Sequence, residues 1–162
     1  MIKIFFPPCF VLVTALIFFS TTTGDAQSFR LDNFERSKLS VLSKSKSHEF
    51  IVEIAKTDRQ QRQGLMFRRR LASNEGMLFV YASPKILKMW MKNTYLPLDM
   101  LFIDASGRIV NIVERTVPGS LEIISSVERA LAVLEVNGGT TSRLKIQKGD
   151  RVRHRTFRLK DD

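Results

Sequence analysis

Two carboxylates stand out as groups that could do chemistry, Asp99 in PLDMLFID and Glu135 in ALAVLEVNGG. Each sits in an apolar run beside a recognisable turn, together with Lys92, Asn93 and Asn137. Strand-end loops are where β proteins place recognition, and polar side chains converging there can hold a small polar ligand. The same two carboxylates could instead serve as an acid and a base, as in glycan hydrolysis, if their separation suits it. Ordinary structure competes with both readings: Asp99 would accept turn amide protons and Glu135 would pair with an arginine. With Trp90, the ligand-binding candidates are Trp90, Lys92, Asn93, Asp99, Glu135 and Asn137, and no catalytic residue is assigned.

A second group bears sulfur. After Met1, all five remaining methionines lie between positions 66 and 100, and Met89 and Met91 flank the only tryptophan in KMWMKNT. Thioethers favour copper(I), which makes Met89, Met91, Met66 and Met77 copper candidates. That reading requires at least two sulfurs to converge with His48 or His154. Core packing is the competing account, because methionine and tryptophan are common core fillers. On a strand, Met89 and Met91 face one way and Trp90 the other. The expectation is no metal and no cofactor. Two histidines and a single cysteine, Cys9, leave a nitrogen–sulfur zinc site or a Ser-His-Asp set short of members.

The elements that must position these groups are short. Residues 49–56 alternate apolar and polar, as a half-buried strand does. Thr57 and Asp58 offer N-cap oxygens, Gln61 has the capping-box spacing from Asp58, and Gly64 stops the turn, which predicts a helix over 58–63. Strands are expected at 77–81, 86–92, 98–104, 108–115, 130–136 and 151–157, with a possible edge strand at 39–42 and a helical turn at 140–144. Ala105-Ser106-Gly107 makes a hairpin turn between two of them. Strands this short, joined by glycine turns, with helices too short for crossovers, predict an antiparallel β sandwich or barrel.

Charge and the first residues bear on location. Lys3 precedes an apolar run from Ile4 to Phe19, and small residues close it at Gly24-Asp25-Ala26. That is the pattern of a signal peptide over 1–26, shorter than the roughly 20 apolar residues of a spanning helix. An uncleaved anchor is the alternative. A polar tether at 27–38 and a single β domain at 39–158 follow. Export to the periplasm or beyond is expected. Removing the leader takes away one lysine and one aspartate, so the net charge of +10 is unchanged. In an exported protein that charge favours weak association with anionic membrane surfaces over nucleic acid. Arg68-Arg69-Arg70 and Arg151, Arg153, Arg155 read as solvated edges.

The order of landmarks VEIAKTDRQQRQGLMFRRRL, EGMLFVY, WMKNTYLPLDMLFIDASGRIVNIVE and ALAVLEVNGGTTSRLKIQKGDRV resembles the domain of unknown function 192 family, from about Leu39 to Arg155. The resemblance implies a mainly β sandwich of jelly-roll character, often exported, and carries no established reaction or ligand. Met89 departs from a phenylalanine common in the family, and Lys145 from a glycine whose loss is expected to reshape that turn. A noncatalytic binding or envelope accessory module for a small polar or anionic ligand is the functional expectation. A hydrolase using Asp99 and Glu135, or a copper(I)-binding protein, are the alternatives.

Overall fold

The computed structural model describes residues 33–44 and 46–157. The signal segment read at 1–26 lies outside the described residues, as does the first half of the tether read at 27–38. Seven strands are present: β1 (Glu35–Ser43), β2 (Lys46–Ala55), β3 (Glu75–Met89), β4 (Leu98–Ile103), β5 (Ile109–Val113), β6 (Ile124–Asn137) and β7 (Arg151–Arg153). Two helices, α1 (Asp58–Gln63) and α2 (Thr140–Leu144), follow β2 and β6. The strands form one sheet in the order β5-β4-β6-β3-β2-β1-β7. It curls until its outer strands meet. Arg108 bridges Arg151, and Val152 N–H donates to Gly107 O at 2.7 Å. The expected mainly β, barrel-like architecture is therefore present, with its edges joined.

Several details depart from expectation. β2 and β3 run parallel, Val52 lying opposite Gly76, whereas the other strand pairs are antiparallel. Residues 56–74 make the crossover. The connection contains no long helix: α1, six residues and under two turns, is followed by irregular chain. The strands expected at 77–81 and 86–92 are a single strand, β3, bent by a register shift between Val80 and Lys85. Ala82-Ser83-Pro84 lies in that irregularity, a bulge where proline's missing donor is tolerated. β3 stops at Met89, so Trp90 to Lys92 lie beyond it. β1 starts at Glu35, inside the stretch read as tether, and β7 is three residues long where seven were expected.

Each face of the sheet has a core. Leu39, Val41, Val52, Leu78, Leu101 and Leu134, with Val136 and Val152, belong to one cluster, to which all seven strands contribute. Met77, Phe79, Met100, Phe102 and Val133 point the other way, into a cluster with Leu65, Leu87, Met89 and Met91. Both faces of β4 are thus covered, and all six of its residues are buried. That explains why LDMLFI is a continuous apolar run broken by one acid, instead of an alternating one.

The helices have the bounds expected, with different caps. Thr57 is the N-cap of α1 and Gln60 closes the capping box, one residue earlier than the Asp58–Gln61 spacing suggested. Gln61 is used elsewhere: its Nε2 donates to Val80 O at 2.8 Å, holding the carbonyl at the β3 bulge. At the end of α2, Lys145 has φ 58° and ψ 33°. The turn keeps its left-handed stop instead of being reshaped, at the cost that a Cβ imposes there.

Candidate functional site

Asp99 and Glu135 are neighbours in the sheet that cannot act together. In the β4–β6 register Asp99 faces Val136, and Glu135 faces Met100. Residues opposite one another share a face, and successive residues on a strand alternate. Asp99 therefore projects on the side of Val136 and the first cluster, Glu135 on the side of Met100 and the second. This arrangement removes the acid–base pairing that a glycan hydrolase would need.

Asp99 is fully buried and fully occupied. Its Oδ1 accepts from Arg115 N–H and Gly139 N–H, each at 2.9 Å. Its Oδ2 accepts from Thr141 N–H at 2.8 Å and from the Thr141 hydroxyl at 2.7 Å. Gly139, the N-cap of α2, provides no side-chain cap, so Asp99 caps that helix from a distant strand. This matches the structural account of a carboxylate receiving turn amides.

Glu135 is different. Its side chain is 4% exposed. Its cross-strand neighbours are Met77 on β3 and Met100 on β4, both completely buried. Among the described residues no hydrogen bond or ion pair reaches its carboxyl, so the arginine partner expected from the sequence is absent there. Burial alone pushes its pKa up to about 8. At neutral pH the group is mostly a neutral acid that can donate as well as accept.

That acid faces a cleft of about 280 Å³. α1 and the turn after it form one wall with Gln61, Arg62 and Met66; β3 forms the other with Phe79, Tyr81, Lys88 and Met89; Trp90 and Thr94 stand at its margin. The Tyr81 hydroxyl donates to Met89 Sδ at 3.5 Å. Its pKa is raised to about 12, by burial first and then by the nearby Glu135 charge, so tyrosine and acid share one space. The interior therefore presents two neutral hydroxyl-bearing groups between thioether and aromatic walls. Arg62 and Lys88 lie at the boundary, exposed and without an ion pair among the described residues.

Of the six candidates from sequence, Trp90 and Glu135 come together here. Lys92 leaves the cleft and stacks over the Trp90 ring at 5.4 Å. Asn93 is a turn residue at φ 55°, and its carbonyl accepts from Phe67 N–H at 2.9 Å. Asn137 is structural: its Nδ2 donates to Leu71 O and Ala72 O, at 3.0 and 3.1 Å, fastening the end of the crossover. Met66 and Met89 line the cleft, whereas Met77 and Met91 are fully buried in the core. Neither histidine lines it; His154 lies 3.0 Å from Ser37 Oγ and 2.9 Å from Thr156 Oγ1. The described residues contain no group of three or more His, Cys, Asp and Glu able to hold a metal. Met89 and Met91 are buried and Trp90 is 45% exposed, so the alternation expected for this stretch holds even past the end of β3.

Comparison with family models matches residues 40–154 to DUF192, described as "Uncharacterized ACR". The chain belongs to the DUF192 family. A crystal structure of a proposed transcription regulator from Sinorhizobium meliloti is 42% identical, with a TM-score of 0.77, and covers 79% of this chain and 100% of its own. A protein of unknown function from Novosphingobium aromaticivorans is 38% identical, with a TM-score of 0.73, over 75% of this chain and 86% of its own. Comparison with curated proteins gives no match. The DUF192 block therefore coincides with the curled sheet, and the sequence landmarks GLM, GMLF and WMKNT all border the cleft.

The sequence reading missed Tyr81, Lys88, Gln61 and Arg62. Gln61 had been assigned to a helix cap, and Arg62 and Lys88 carry no local signal. Tyr81 ends an apolar run, and only the β3 bulge and the β3–β6 register bring it to Glu135.

Proposed function

We propose that this DUF192 protein is a noncatalytic binding module whose cleft takes a small polar or anionic molecule. One observation carries the reading: a buried acid with no partner among the described residues faces an open cleft instead of a packed core. Leaving such a group without a hydrogen bond costs roughly 1–3 kcal/mol, which a ligand hydroxyl or carbonyl would recover. The Arg62 and Lys88 side chains would meet an anionic substituent at the mouth, and Trp90 offers an apolar face. The other carboxylate in the cleft lining, Asp58, is an exposed residue in the first turn of α1 and not a buried partner of Glu135, which is why binding is preferred over hydrolysis.

The test is thermal unfolding and calorimetry of the purified chain against glycans, carboxylates, phosphates and nucleotides, with duplex DNA as a further arm because of the description carried by the Sinorhizobium meliloti relative. A binder at a hundred times its Kd adds about 2.7 kcal/mol to stability. That gain is expected to vanish in Glu135→Ala and to shrink in an Arg62→Ala, Lys88→Ala double variant. A panel that moves nothing, or a ligand that stabilises Glu135→Ala equally, overturns the reading.

Export belongs to the same proposal. Fractionation of expressing bacteria is expected to find the chain outside the cytoplasm with Gln27 at its amino terminus, and a cytoplasmic product retaining Met1 would contradict it.

A further inference from the structure

The cleft accounts for only part of the unusual surface. Beside it, Phe67, Trp90, Tyr95, Val117, Leu121 and Ile123 are all exposed, Val117 at 69% and Leu121 at 65%. Backbone hydrogen bonds make these residues neighbours. Phe67 N–H donates to Asn93 O at 2.9 Å, Gly119 N–H to Thr94 O at 3.1 Å, and Met91 N–H to Ser120 O at 3.0 Å. The segment 90–95 is thus bracketed by Phe67 on one side and by the 117–121 loop on the other. Ile124 pairs with Met89 at the end of β3, which brings Ile123 alongside Trp90. The Phe67 and Tyr95 rings meet edge to face at 6.3 Å.

Cations are interleaved with these rings. Arg69 lies 5.8 Å from the centroid of Tyr95, and Lys92 lies 5.4 Å from that of Trp90. An aliphatic loop, amphipathic aromatics and basic side chains held at their edge are the chemistry of a surface that meets lipid headgroups. Exposed apolar groups alone could suit several partners, but the cation–aromatic pairs and the +10 net charge select an anionic one. No helix among the described residues is long and apolar enough to cross a membrane.

We infer that this face docks on the surface of an anionic lipid bilayer, with Leu121, Ile123 and Trp90 entering the interface and Arg69 and Lys92 engaging headgroup phosphates. The inference does not depend on what the cleft binds. Glu122 in the same loop opposes it by charge, which makes that residue a useful control.

Trp90 is the only tryptophan, so its emission reports the contact directly. Vesicles of phosphatidylcholine with one-quarter phosphatidylglycerol are expected to shift Trp90 emission to the blue and shield it from an aqueous quencher; pure phosphatidylcholine is expected to do neither. A Leu121→Ser, Ile123→Ser variant with unchanged unfolding should lose the shift. Arg69→Glu with Lys92→Glu should weaken binding at least tenfold, Glu122→Lys should strengthen it, and Glu135→Ala should leave it unchanged. The inference is overturned if no vesicle binding occurs at low salt, if binding proceeds with Trp90 emission unchanged, or if neutral and anionic vesicles bind alike.

Discussion

Asp99 and Glu135 are both buried acids on adjoining strands, one residue out of register with each other, and the fold treats them in opposite ways. Asp99 turns toward α2 and receives four hydrogen bonds, three of them from backbone amides. Glu135 turns toward methionines and a cleft and receives none from the described residues. The lesson is that burial of a carboxylate says little about its role until its partners are counted. A saturated acid holds a turn together, whereas a bare one stores solvation energy that a ligand can release.

The comparison is broken most violently at Asp99. Asp99→Ala strands three amide donors and removes the cap of α2, so a loss of about 3–5 kcal/mol is expected in urea unfolding. An effect below about 1 kcal/mol would mean that Asp99 is not structural.

At Glu135 the expected effect has a pH signature. The folded protein keeps this proton up to about pH 8, while its ordinary value is 4.5. The folded state therefore binds more protons than the unfolded chain between those values. The stabilisation is fully present below the lower value and is lost as pH rises through the upper one, at roughly 1.4 kcal/mol per pH unit in between. Glu135→Gln should remove this slope, matching the parent near pH 5 and exceeding its stability at pH 8.5. Chemical denaturation across that range measures both.

Smaller changes sharpen the Asp99 side. Thr141→Val deletes the hydroxyl donor and leaves the three amides, for a loss of about 1 kcal/mol. Lys145→Gly relieves the left-handed residue that ends α2, for a gain of up to about 1 kcal/mol. A gain there accompanied by unchanged Glu135 titration would show that the two regions are independent.

Local patterns were legible in sequence and pairings were not. The bounds of α1 and α2 followed from caps, spacing and glycine, all of which act within a few residues. Period-two alternation marked β2, and it gave the opposed directions of Trp90 and its flanking methionines. The fusion of two expected strands into β3 was hidden because Ser83-Pro84 looks the same in a bulge as in a turn. The parallel β2–β3 pair was hidden because strand direction is settled by the path of residues 56–74. The candidate acids were named from their types, but their opposite faces depend on a one-residue offset in the β4–β6 register, between residues 36 positions apart in sequence, which no local signal carries. Asn137 likewise has the composition of a ligand and the partners of a clamp.

The claim on which the functional account stands is that Glu135 is a neutral acid at physiological pH inside an accessible cleft. Carbon-13 NMR titration of the glutamate carboxyls, with Glu135→Gln to assign the resonance, measures this directly. The account predicts that Glu135 changes charge near pH 8, apart from the other glutamates. A Glu135 resonance titrating with the others, near 4.5, would contradict it and remove the case for the cleft as a binding site.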